Sequence, residues 1–122
     1  MRTKERRKAV RAPATLAMEI KLSGKDCGRL ETINVSANGV YFSSPEFIAP
    51  LTRLEITLVL PENTETPAAA KREVACEGVV VRTEPEREET DRDRYDVACY
   101  FTSITESDRE HLESYILSQL AF

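Results

Sequence analysis

Six stretches of this sequence alternate apolar and polar residues with the two-residue period of a β-strand. They cover residues 14–22, 30–35, 40–43, 54–60, 74–81 and 95–101. The links between them are short, and no helical pattern is interleaved with them. Parallel strands need long, usually helical, crossovers, so the chain is predicted to form an antiparallel sheet. The pattern leaves open whether this sheet closes into a barrel or forms a small sandwich.

The end of the chain has the spacing of an amphipathic helix instead. One face of this helix carries the apolar residues Leu112, Tyr115, Ile116 and Leu120. Residues 107–110, Ser-Asp-Arg-Glu, have the form of a capping box, and Thr105 is a competing cap. The apolar face is expected to pack against the open side or end of the sheet.

Length and composition indicate one globular domain. The chain has 122 residues, of which 41% are hydrophobic and 31% charged. No stretch is apolar and long enough to span a bilayer, and the charged N-terminus lacks the apolar core of a signal peptide. The sequence therefore predicts a cytoplasmic protein, or a module of a longer one.

Charge is distributed unevenly along the chain. Residues 1–11 carry six cations against Glu5, a net charge of +5, so a chain of net charge −4 has −9 on the remainder. An acidic body repels a nucleic-acid duplex, and a nucleic-acid binder would lose affinity steeply with salt. One compact basic arm is better suited to a small anion, so no nucleic-acid partner is predicted.

A polar turn lies between the second and third runs, at residues 34–39, Asn-Val-Ser-Ala-Asn-Gly. Asn and Ser suit a tight turn, and Gly39 can adopt positive φ and lets another group approach the backbone closely. Any hairpin could use these residues. Residues 6–11, Arg-Arg-Lys-Ala-Val-Arg, add guanidinium groups that fork onto phosphates and stack on planar bases. Together they favour a pocket for a phosphorylated, base-bearing ligand.

The two patterns, Arg7-x-x-x-Arg11 and Asn34-x-Ser36-x-x-Gly39, together resemble the signature of the PilZ domain family. Its typical members bind the bacterial second messenger cyclic di-GMP. The resemblance extends from residue 6 to the end of the chain. It implies an all-β, six-stranded antiparallel barrel with a C-terminal helix, over residues 13–122. Residues 1–12 are then a flexible basic arm.

The resemblance also implies a binding site and a mode of action. The implied ligand-binding residues are Arg6, Arg7, Arg11, Asn34, Ser36 and Gly39. Arg7 and Arg11 would engage guanine and phosphate, and Arg6 goes with a stacked pair of nucleotides. Binding would order the arm and relay the signal to an effector protein that the sequence does not identify. Relatives that lack these motifs act as interaction modules without nucleotide, but this chain has all five motif positions. It departs from many relatives at Ala98, where they carry Gly.

No catalytic or metal-binding constellation is evident. Cys27, Cys76 and Cys99 lack metal-site spacing, and the last two lie on the apolar phase of their strands. His111 is alone in a helical stretch, where a helix-edge position is favoured. The acidic residues at 84–93 are interleaved with arginines and lack the spacing of a calcium loop, so we expect a solvated hairpin loop. The sequence predicts a binding protein, with no enzymatic activity and no cofactor.

Overall fold

The computed structural model describes residues 12–13, 15–22, 25–60 and 72–120. Arg6, Arg7 and Arg11, and the proposed arm as far as residue 11, lie outside the described residues. The elements are β1 (Ala12–Pro13), β2 (Ala17–Leu22), β3 (Lys25–Val35), β4 (Gly39–Ser44), β5 (Arg53–Leu60), β6 (Arg72–Glu84), β7 (Tyr95–Ile104) and α1 (Glu106–Leu120).

The sheet closes on itself. Strands β3, β2, β5, β6, β7 and β4 lie side by side in that order, all antiparallel, and β4 pairs back with β3. Among the described strands, the two-residue β1 pairs with the end of β3 alone. The prediction of a six-stranded antiparallel barrel is confirmed, and the sandwich alternative is wrong.

The core lies inside the barrel, where the apolar residues of each strand point. Met18, Phe42, Leu58 and Val97 are among the fully buried side chains. Their polar neighbours along each strand face outward, as the alternation predicts. The inward face is therefore used for stability, and any ligand surface must lie outside or at the ends.

Helix α1 packs on the barrel through the face expected from its sequence. Leu112 and Ile116 are buried, and Tyr115 and Leu120 pack against the core. Thr105 is the N-cap, since its Oγ1 accepts the N–H of Asp108 at 3.1 Å. The competing cap is thus the correct one, and the capping box at 107–110 is wrong because the helix already begins at Glu106.

In the described parts of the chain, no helix has the length and apolarity needed to cross a bilayer.

Candidate functional site

The polar turn is shorter than the sequence predicts. Asn34 belongs to β3 and pairs with Tyr41 of β4, which begins at Gly39. This leaves Ser36, Ala37 and Asn38 as the connection. The N–H of Ser36 donates to the carbonyl oxygen of Gly39 at 2.9 Å, which closes the turn. The predicted turn residues therefore comprise the end of one strand, a three-residue link and the start of the next.

Ser36 shapes the turn from within. The residue is buried, and its Oγ accepts the N–H of Asn38 at 3.1 Å. This is the local side-chain to backbone bond that favours Ser in turns. Because a hydroxyl both accepts and donates, its proton can still be offered to another group.

Gly39 is required for a reason other than backbone conformation. Its φ lies outside the left-handed region, so the positive φ that glycine permits is not used at this position. A methyl group at this position would overlap the carbonyl oxygen of Cys99 on β7. The other expectation, of close approach, is correct, and the approaching group is the neighbouring strand.

A row of outward-facing residues crosses the barrel beside the turn. Pro13 pairs with Asn34, Asn34 with Tyr41, Tyr41 with Ala98, and Ala98 with Arg82. Asn34, Tyr41 and Ala98 are half-buried. Tyr41 was not among the predicted site residues, although its position between the core residues of β4 marks it as outward-facing. The row is a surface on which a planar ligand could lie against β4 and β7.

The short strand β1 brings the chain to this surface. Ala12 pairs with Val35 and Pro13 with Asn34. Residues 12 and 13 therefore lie beside the end of β3, next to the turn. Of the predicted ligand-binding residues, the structure brings Asn34, Ser36 and Gly39 together.

Arg109, on α1, also contacts the turn. Its Nη1 donates to the carbonyl oxygen of Ala37 at 2.9 Å and to Oδ1 of Asn38 at 3.3 Å. The backbone of Asn38 is held as well, since its carbonyl oxygen accepts the N–H of Phe101 at 2.8 Å. Sequence reasoning missed Arg109 because no local pattern signals a contact across 72 residues.

Two cysteines and the histidine are wholly or partly buried. Burial raises the pKa of the Cys76 thiol to about 12, with a smaller contribution from Cys99, and burial does the same for Cys99. Both are core residues, as predicted. His111 is half-buried on the helix, as a helix-edge residue is. Within the described ranges, no three His, Cys, Asp or Glu side chains are placed to hold a metal ion.

Comparisons with known proteins agree with this geometry. The family model for the PilZ domain matches residues 5–118. The solved structure of the Bacillus subtilis inhibitor of motility, MotI/DgrA, is similar over 93% of this chain, with a TM-score of 0.75 and 21% identity. The chain spans about half of that protein, 51% of its length. No curated protein matches the sequence. The chain belongs to the PilZ domain family.

Proposed function

We propose that this protein binds cyclic di-GMP on the surface formed by the arm, the turn and the outward row. The register of β1 carries the proposal. It sets the residues that follow the arginine motif directly against Asn34 and Val35. The two residues that follow the first half of the family signature thus pair with the strand that leads into the second half.

The residue types suit the chemistry of this ligand. Arg7 and Arg11 offer guanidinium forks that match phosphate oxygens and the O6/N7 edge of guanine. Asn34 and the Ser36 hydroxyl offer hydrogen bonds from the barrel side. Gly39 shapes the site by letting β7 approach the turn. The family is one of binding modules, and we assign no enzymatic activity and no cofactor.

Titration calorimetry with cyclic di-GMP tests the proposal. We expect saturable binding that falls at least about tenfold, or about 1.4 kcal/mol, in Arg7→Ala and in Arg11→Ala, with unchanged melting temperature of the free protein. Arg87→Ala, in the exposed β6–β7 loop, is the matched control and should bind as wild type. Cyclic di-AMP, which lacks the guanine O6, should bind more weakly. Wild-type affinity in both arm variants would overturn the assignment.

The arm supplies the response to the ligand in this proposal. A segment with surplus positive charge and no apolar periodicity gains order when an anion neutralises it. We expect amide exchange in residues 1–11 to slow on binding while the barrel core changes little. An arm already protected in the free protein would exclude this switch. The ordered arm would then be recognised by an effector protein.

Since a second messenger acts inside the cell, the proposal places the protein in the cytoplasm.

Arg6 motivates a proposal about stoichiometry. Two stacked nucleotides bring four phosphates together, and their repulsion requires nearby cations. Arg6 adds one, and its planar group can stack on guanine. We expect two nucleotides per chain, falling to one in Arg6→Leu. A ratio of one in the wild type would contradict the stacked pair.

Ala98 and Tyr41 test where the ligand lies. They pair with each other in the row that continues from Asn34. If guanine stacks here, the Tyr41 ring is its platform, and Tyr41→Leu should weaken binding by about 1–3 kcal/mol. The methyl of Ala98 would stand against the same ligand, so Ala98→Gly should tighten binding. Unchanged affinity in both variants would place the ligand elsewhere.

The second candidate function is that of a protein-interaction module that acts without nucleotide. It is favoured by three exposed apolar residues around one segment of β6: Leu51, Val81 and Tyr100. Leu51 donates its N–H to the carbonyl oxygen of Val80, and Tyr100 pairs with Val79. Exposed apolar clusters mark contact surfaces. Absence of saturation at micromolar cyclic di-GMP would favour this candidate.

A further inference from the structure

Arg109 is the one side chain of α1 that the structure bonds to the turn. Its Nη1 contacts Ala37 O at 2.9 Å and Asn38 Oδ1 at 3.3 Å. The helix is separated from the turn by the four strands β4 to β7 along the chain. The contact therefore fixes the turn to an element that local sequence does not connect to it.

Hydrogen bonds from three residues hold the turn, and Arg109 is one of the three. Ser36 Oγ binds the N–H of Asn38 from inside the turn, and Phe101 N–H binds its carbonyl oxygen from β7. The guanidinium binds the Ala37 carbonyl and the Asn38 side chain. A charged donor makes the stronger kind of hydrogen bond. Without it, the peptide between Ala37 and Asn38 loses its bond to the helix.

We propose that Arg109 is a positioning residue of the nucleotide site. It holds the turn in the shape that presents Asn34 and Ser36 to the ligand, and it makes α1 part of the site. The inference rests on the proposed function, because the turn is the barrel side of that site. Less of the binding free energy is lost to ordering the turn when the turn is already ordered before the ligand arrives. Since coupling is reciprocal, ligand on the turn also stabilises the helix contact.

Asp108 provides a matched control for this role. It is the preceding residue on α1, and its Oδ2 accepts the N–H of Ala75 on β6 at 3.3 Å. Asp108 thus ties the same helical turn to β6 and not to residues 36–38. Asp108→Ala loosens the helix without releasing the turn, whereas Arg109→Ala releases the turn.

The first measurement uses the protein without ligand. Amide exchange is followed at Ser36, Asn38 and Phe101, whose N–H groups are bonded in or onto the turn. We expect exchange about tenfold faster in Arg109→Ala and unchanged at these positions in Asp108→Ala. Arg109→Lys keeps the charge without the planar fork and should be intermediate. Wild-type exchange in Arg109→Ala would overturn the proposal.

The second measurement is the affinity for cyclic di-GMP. We expect Arg109→Ala to bind at least about fivefold more weakly, with partial rescue in Arg109→Lys and wild-type affinity in Asp108→Ala. A turn that loosens with no change in affinity contradicts a positioning role. If the wild type does not bind cyclic di-GMP, the proposed function fails, but the exchange data still decide whether Arg109 orders the turn.

Asn38→Ala serves if Arg109→Ala does not fold. It removes only the contact of Arg109 with the Asn38 amide and leaves the Ala37 contact in place. We expect the same changes in exchange and affinity, but smaller. No change in either quantity would overturn the proposal.

Discussion

Two connections between neighbouring strands of this barrel differ in how they are held. The turn at residues 36–38 joins β3 to β4, and besides its own local bonds it is held by Phe101 and Arg109, far away in sequence. The loop at residues 85–94 joins β6 to β7, and its bonds come from its own neighbours. Arg92 pairs with Glu89 at 2.9 Å, and Tyr95 bonds the backbone of Glu89.

The turn is therefore a surface held in place by the rest of the barrel, whereas the loop at residues 85–94 is a solvated segment. Remote groups can hold a turn in one shape only when the whole barrel is folded, so the turn inherits the rigidity of the core. Exposed ion pairs such as Arg92–Glu89 contribute about 0–1 kcal/mol and restrict the chain little. A ligand site needs the first kind of connection, since an ordered site costs less to occupy.

The largest effect is expected where the turn meets β7. Gly39→Ala places a methyl group on the Cys99 carbonyl oxygen, so β4 and β7 must separate locally. We expect a loss of about 3 kcal/mol in the free energy of unfolding, measured by urea denaturation. Gly28→Ala is the control. Its φ of +92° disfavours alanine, but a methyl group there would meet no atom within 4 Å outside the adjoining residues, so the loss should be about 1 kcal/mol. Equal losses would show that close approach does not explain Gly39.

Alkaline pH should lower the stability of the barrel, because β6 and β7 carry the two buried thiols. Burial raises the folded-state pKa of the Cys76 and Cys99 thiols from 9.0 to about 12. Their contribution to stability is therefore complete below pH 9 and is lost as the pH rises towards 12, because only the unfolded chain ionises readily. At pH 10 the loss should be about 1 kcal/mol for each thiol. Urea denaturation across this range should show it in the wild type but not in the Cys76→Ala/Cys99→Ala variant, and equal slopes would contradict it.

Tyr95→Phe should affect the loop and spare the turn. The phenol of Tyr95 donates to the carbonyl oxygen of Glu89 and accepts its N–H at 2.9 Å. Losing both bonds should cost about 1 kcal/mol of folding free energy and speed amide exchange at Glu89. Exchange at Ser36 should stay as in the wild type. Faster exchange at both sites would mean that the two connections are not independent.

The smallest pair of effects compares one local bond in each connection. Ser36→Ala removes a buried acceptor from the Asn38 N–H and should cost about 1 kcal/mol. Glu89→Gln removes an exposed ion pair and should cost less than about 0.5 kcal/mol. Thermal denaturation of both variants measures the difference. A larger loss in Glu89→Gln would reverse the comparison.

The sequence predicted those features that depend on short-range pattern. Alternation located all six barrel strands and their inner faces, and helical spacing identified the face of α1. The sequence also placed Asn34, Ser36 and Gly39 in one region, because they lie within six positions of each other. The sequence could not show which property of glycine matters at position 39, because a turn with positive φ and a close interstrand contact both select glycine. Arg109 was missed because its contact depends on how the helix docks, which no local spacing encodes.

The most direct test follows every backbone amide by NMR during titration with cyclic di-GMP. If the turn and the arm form the site, shifts will concentrate at residues 6–11, at 34–39 and at Tyr41. The loop at 85–94 will remain unchanged because its bonds do not reach the turn. Saturating ligand that shifts the loop but not residues 34–39, or that shifts no amide, would contradict the account.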